Sequence, residues 1–187
     1  MPFVYHIKSP QLRGTTIYPL NQLRDRHPDL YDLHRAKYAG REALMQCRIP
    51  LLDKHWNDVV YLAPVHPYHI KTALLAAGAA PPDLVWFRIP IERFERLRAV
   101  YYTFNSCKNA PPSNVVELDP RDFEWFSASD YRELDAVAPE TISDNRERIR
   151  LGMRPLILTR TLHVMVDGPI DITGLPVLSW DEPPISS

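Results

Sequence analysis

The sequence predicts an α+β protein. It reads as one domain over residues 1–180, with a central mixed or mostly antiparallel sheet flanked by short helices, and a flexible tail over 181–187. Three observations lead there. Nineteen prolines against six glycines fix many turns and keep elements short, since proline neither donates to a ladder nor continues a helix. Short β-branched and aromatic runs are stopped by prolines, as in Val59-Val60-Tyr61-Leu62-Ala63-Pro64 and Leu84-Val85-Trp86-Phe87-Arg88-Ile89-Pro90. The elements follow one another as strand, helices, strand, helix, strand, aromatic segment, helices and paired strands, which is an α+β order.

The first strand is Phe3-Val4-Tyr5-His6-Ile7, with Tyr5 and Ile7 on one face and Val4 and His6 on the other. Thr15-Thr16-Ile17-Tyr18 is a second extended piece ended by Pro19. A helix begins at His27-Pro28-Asp29, where Asp29 is a candidate cap and Leu30 and Leu33 share a stripe. Gly40 fits the position after its end, and 41–47 adds a further turn or two. The stretch 58–63 reads as a buried interior strand, with polar groups at its entrance (His55, Trp56, Asn57, Asp58) and at its exit (His66, His69).

Past that strand, His66-Pro67-Tyr68 opens a helix closed by Gly78, and 84–89 is the next strand. A short helix over 91–97 and an aromatic strand over 100–104 follow. The loop 105–113 precedes a helical turn from Asp119-Pro120 that carries Phe123, Trp125 and Phe126. Ser129 is a candidate cap for a helix through Val137, and 143–151 is another helix. The run 155–167 is long for one strand and calls for a bulge or turn near Arg160. Gly168-Pro169 turns the chain into a small strand at 170–172, and Trp180 anchors the end.

Length and composition bound the function. A chain of 187 residues fits one domain with a substantial core. A net charge of −1 gives no global argument for nucleic acid, so such a ligand would need a local basic face. Arg146, Arg148, Arg150 and Arg154 are the candidate, weighed against an ordinary solvated face. Cys47 and Cys107 lie far apart without metal spacing, which suits a reducing compartment and buried thiols. No secretory-type apolar segment follows Met1 and no long apolar run occurs, so the expected location is cytoplasmic, with no membrane partner. Phosphate-binding glycine loops, nucleophile elbows and His-Glu-x-x-His are lacking, and His66 with His69 has no obvious third ligand, so no metal is expected.

A nucleotide-type ligand is served better. Tyr5, His6, Tyr61, Tyr101 and Tyr102 supply rings, Arg13, Arg41 and Arg88 supply cations, and Asn21 and Asn57 supply amides. The start, Tyr5-His6-Ile7-Lys8-Ser9, resembles the first strand of ADP-ribosyltransferase-like domains, and the order of later elements is similar. That resemblance implies a transferase that moves ADP-ribose from NAD to a protein or nucleic-acid acceptor, as in toxins of this type. It implies His6 at the nicotinamide ribose and Tyr61 stacked on nicotinamide as the catalytic pair. Tyr5, His6, Ser9, Asn21, Arg41 and Tyr61 would hold the cofactor. One departure stands out: the last strands offer only Asp167 and Asp171 where the family carries a glutamate, and Glu117 precedes a helix. The pattern Lys37-Tyr38-Ala39-Gly40-Arg41-Glu42 followed by Trp56-Asn57-Asp58-Val59 also resembles an uncharacterised bacterial family. The competing expectation is a non-catalytic protein-binding module of inhibitor or immunity type.

Overall fold

A computed structural model describes residues 2–40, 42–94, 96–103 and 118–184. In chain order the strands and helices are β1 (Phe3–Ile7), β2 (Thr16–Ile17), α1 (Leu20–Arg26), α2 (Pro28–Arg35), β3 (Arg48–Ile49), β4 (Lys54–His55), β5 (Val59–Leu62), α3 (Pro67–Ala76), β6 (Val85–Pro90), β7 (Ala99–Tyr102), β8 (Phe123–Trp125), α4 (Pro139–Arg150), β9 (His163–Asp167), β10 (Ile170–Asp171) and β11 (Val177–Ser179). The class is α+β with antiparallel pairing, distributed over several small sheets. Two of them form the body, one ordered β1-β6-β11 and the other β5-β9-β7-β8.

Period-two alternation explains how those two sheets pack. Val4 of β1 with Phe87 and Ile89 of β6 faces the same apolar cluster as Val60 and Leu62 of β5 and Val164 and Val166 of β9. That cluster is the core between the sheets. The alternate residues point outward into two further clusters. Tyr5 and Trp86 meet Ile70 and Leu74 of α3 and the buried Trp180 on one side. Val59, Val100, Tyr102 and Met165 meet Ile49 and Leu52 on the other. Both sheets are therefore sandwiched, which is why their strands read as continuous apolar runs.

The sheets touch through one antiparallel bridge, Tyr5 to Ala63. The Tyr5 amide donates to the Ala63 carbonyl at 2.9 Å and the Ala63 amide returns the bond at 2.8 Å. From there β1 turns to β6 and β5 turns to β9. Val60 and Leu62 are buried as expected, 3% and 0% exposed. Yet β5 is an edge of its own sheet rather than an interior strand, because β1 leaves it after one bridge.

Several elements differ from the sequence expectation, each for a local reason. Helix α1 buries no residue, and its one apolar pair, Leu20 and Leu23, is too short a pattern to betray a helix. Asp29 does not cap α2: His27 is the N-cap and Pro28 opens the helix, while Asp29 pairs with Arg13. Leu33 stands 47% exposed instead of facing inward. The helical turn at Asp119 stops at Asp122, and Phe123–Trp125 pairs with β7, where Phe123 stacks on Tyr102 at 4.9 Å between ring centres. The stretch 129–137 is not helical, because tertiary bonds capture it. The Leu134 amide donates to the Pro64 carbonyl at 2.7 Å, and the Tyr131 hydroxyl donates to the Phe3 carbonyl at 2.5 Å. Within 155–167 only His163–Asp167 is strand, and Arg160 adopts φ +54° in the turn before it. The loop 105–113, Cys107, Arg41, Glu117 and the tail beyond Pro184 lie outside the described residues. Among the described residues, no helix is long and apolar enough to cross a membrane.

Candidate functional site

Where β1 and β5 part, a cavity of about 270 Å³ opens. His6, Ile7 and Ser9 form one wall and Val59, Val60 and Tyr61 the other. Phe87 of β6 joins the first wall, and α1 and α2 close the space with Leu20, Leu23 and Leu30. Apolar walls with a few convergent polar groups are the usual make-up of a small-molecule site, though this space lies just under the ~300–1,000 Å³ of such pockets.

His6 and Tyr61 thus come from different sheets to one cavity. Burial lowers the His6 imidazole to about 4, with a backbone bond at Ile7 opposing and the nearby His34 adding to the fall. His6 is therefore neutral near pH 7, a hydrogen-bonding group and not a cation. The Tyr61 hydroxyl donates to the Trp56 carbonyl at 2.5 Å. Its ring sits 5.2 Å from that of Trp56 and 5.9 Å, edge to face, from His163 behind it on β9. Burial first, and then the neighbouring Tyr38 and Tyr102 phenols, the Cys47 thiol and Asp58, hold the Tyr61 phenol far above its ordinary range. It stays protonated and its ring is held by Trp56 and His163.

Asn57 completes the polar lining. It lies in the turn Trp56–Asp58, is 1% exposed, and lines the cavity. Neither its amide nitrogen nor its amide oxygen has a hydrogen-bond partner among the described residues. Leaving such a group unpaired in a buried place costs about 1–3 kcal/mol. The turn does not need this side chain. Asp58 accepts from the His55 amide at 2.9 Å and from Asn21 at 2.7 Å, which fixes the backbone without it.

Of the residues expected at the cofactor, His6, Ser9 and Tyr61 line this cavity and two others do not. Tyr5 points to the opposite face of β1, as alternation demands, and donates its hydroxyl to Glu133 at 2.6 Å. Asn21 spends its amide on Asp58. Arg41 falls outside the described residues. The two aspartates of the last strands are committed elsewhere: Asp167 to Lys54 at 3.4 Å and Arg98 at 3.9 Å, and Asp171 to Thr173 and Arg93. No aspartate or glutamate is among the described residues that line the cavity.

Sequence reasoning missed Tyr18, Tyr38, His34 and Lys37, which also line the cavity. Only the packing of α1 and α2 across the sheet junction brings them there. Lys37 and His34 approach to 2.8 Å at the helix end, adding polarity to that wall. Arg13 also reaches the cavity, while its guanidinium is paired with Asp29.

A second cavity, on the other side of β1, is lined by Tyr5, His66, His69, Arg88 and Glu133. His66 there caps α3, accepting from the Tyr68 amide at 3.3 Å. Among the described residues, no three His, Cys, Asp or Glu side chains are grouped to hold a metal. The arginines of α4 lie apart from both cavities. Arg150 pairs with Glu147 at 2.6 Å, Arg146 donates to the Ala76 carbonyl and Arg148 to that of Arg154.

The buried imidazoles make stability depend on pH. His163, 8% exposed, has its ionisation lowered to about 4 by burial, against 6.5 ordinarily. Between those values the unfolded chain takes up a proton that the folded chain refuses. Stability is thus full above pH 6.5 and falls as pH drops toward 4. The loss for this one residue is on the order of 3 kcal/mol. Urea unfolding from pH 7.5 to 4.5 should show that decline, and His163→Asn should make it shallower while His6 and His66, also lowered by burial, keep the rest. An unchanged slope in the variant would assign the decline to other groups.

Comparison with known proteins adds no relative: no protein-family model, no curated protein and no solved structure matches the chain.

Proposed function

We propose that this protein is an ADP-ribosyltransferase-like enzyme that takes NAD with its nicotinamide–ribose half in the cavity between the two sheets. One observation carries the proposal: His6 and Tyr61, on strands of separate sheets, wall a single cavity. A neutral imidazole suits a ribose hydroxyl, and a tyrosine ring held by two aromatic contacts suits a flat pyridinium. A cavity of about 270 Å³ suits one ring and its sugar, so the rest of the dinucleotide would lie outside it.

The chemistry is cleavage of the bond between nicotinamide nitrogen and ribose C1. The bonding pair leaves with nicotinamide, C1 passes through an oxocarbenium-like state, and an acceptor nucleophile on protein or nucleic acid closes on C1 with loss of its proton. Tyr61 and His6 would orient the dinucleotide for this step. An acid that shields the developing positive charge is not among the described residues that line the cavity.

Calorimetry and thermal melting with millimolar NAD test the reading. A ligand that binds only the folded state must raise its stability, by about 2.7 kcal/mol at one hundred times its dissociation constant. Saturable heat with a raised melting point is the expected result. Neither heat nor shift overturns the proposal and leaves the protein-binding module. Release of free nicotinamide over time separates an enzyme from a protein that only binds NAD.

A further inference from the structure

We infer that Asn57 is the residue by which the cavity selects its ligand, reading a planar edge that offers one hydrogen-bond donor beside one acceptor. The inference rests on the NAD reading and sharpens it.

The side chain is nearly sealed from solvent and both of its amide atoms lack partners among the described residues. Its neighbours in the turn are all engaged: Trp56 through its carbonyl to Tyr61, and Asp58 to Asn21 and to the His55 amide. The turn is rigid without the Asn57 amide, which therefore has no structural bond to give up when a ligand enters. An amide presents a donor and an acceptor side by side in one plane. Its complement is a second such edge. NAD has two: the primary carboxamide of the nicotinamide ring, and the amine with adjacent ring nitrogen of adenine, which asparagine pairs in a bidentate manner. The same wall carries Tyr61, whose ring would stack on either heterocycle while Asn57 meets its edge.

Binding of three dinucleotides to the wild-type protein, followed by calorimetry, decides the matter. NAD is compared with nicotinic acid adenine dinucleotide, where a carboxylate replaces the carboxamide, and with nicotinamide hypoxanthine dinucleotide, where a carbonyl replaces the adenine amine. We expect one of the two analogues to bind at least about tenfold more weakly than NAD, the loss of one well-made hydrogen bond in a buried site. Weakening by the carboxylate assigns the contact to nicotinamide, and weakening by hypoxanthine assigns it to adenine. Asn57→Leu, which nearly keeps the volume and removes both the donor and the acceptor, should erase that discrimination without lowering the melting point, since the amide has no partner to lose. If NAD binds and all three ligands agree within about twofold, the inference is overturned while the NAD reading stands. If NAD fails to bind, both fall together. Should Asn57→Leu not fold, Asn57→Ala serves in its place, and discrimination that persists in either variant overturns the inference.

Discussion

Tyr61→Ala is expected to abolish NAD binding, raising the dissociation constant at least about 100-fold, or about 2.7 kcal/mol. The side chain lines the cavity, and its ring is held by contacts with Trp56 and His163. His6→Ala should weaken NAD to a similar degree, because a buried neutral imidazole has no substitute in that wall. Tyr61→Phe isolates the ring from the hydroxyl. It removes the bond to the Trp56 carbonyl and keeps the stacking face, so NAD affinity should stay within about threefold while some stability is lost. Titration calorimetry and melting curves on all three variants check this. A His6→Ala protein that is less stable but binds NAD unchanged would make His6 a core histidine and withdraw it from the site.

Tyr131→Ala should be among the most damaging single changes, costing about 4 kcal/mol. The side chain is fully buried in the core between the sheets. Its hydroxyl donates to the Phe3 carbonyl at 2.5 Å and approaches the Pro64 carbonyl at 3.4 Å, one at the start of β1 and the other just past β5. It thus clamps the two strands beside their only bridge. Tyr131→Phe retains the volume and loses the clamp, with an expected cost of about 1 kcal/mol. Urea unfolding measures both. If Tyr131→Phe is as damaging as Tyr131→Ala, the hydroxyl rather than the packing holds the junction. If Tyr131→Ala costs under about 1 kcal/mol, the clamp is not a structural need.

The strands were legible because their burial is dense. Val59 to Leu62, Trp86 with Phe87 and Ile89, and Val164 to Val166 put buried apolar side chains on both faces of their strands, and no helical reading competes over so few residues. What was hidden depends on neighbours far along the chain. Helix α1 has no buried stripe, and the stretch around Tyr131 is held open by bonds to Phe3 and Pro64 that no local pattern records. The same holds for the site. His6, Ser9 and Tyr61 could be named from the first strand and the apolar run at 59–62, whereas Tyr5, set on the face opposite His6 by strand alternation alone, could not share their wall. Tyr18, Tyr38 and Lys37 carry no distinguishing local signal. They reach the cavity only because α1 and α2 cover the junction.

That junction joins partners up to 128 residues apart in the chain, since Tyr131 and Glu133 close on Phe3 and Tyr5. Contacts of such separation are expected to form late, after the cost of closing long loops has been met. Neither sheet alone has both walls of the cavity, so on that expectation the cavity forms only when the sheets join. A ligand would then find no site in the folding transition state. Its whole effect should fall on the reverse reaction: saturating NAD slows unfolding and leaves the refolding rate as it was. The site thereby turns occupancy into lifetime, and a loaded molecule would outlast an empty one wherever survival is set by how often the sheets come apart.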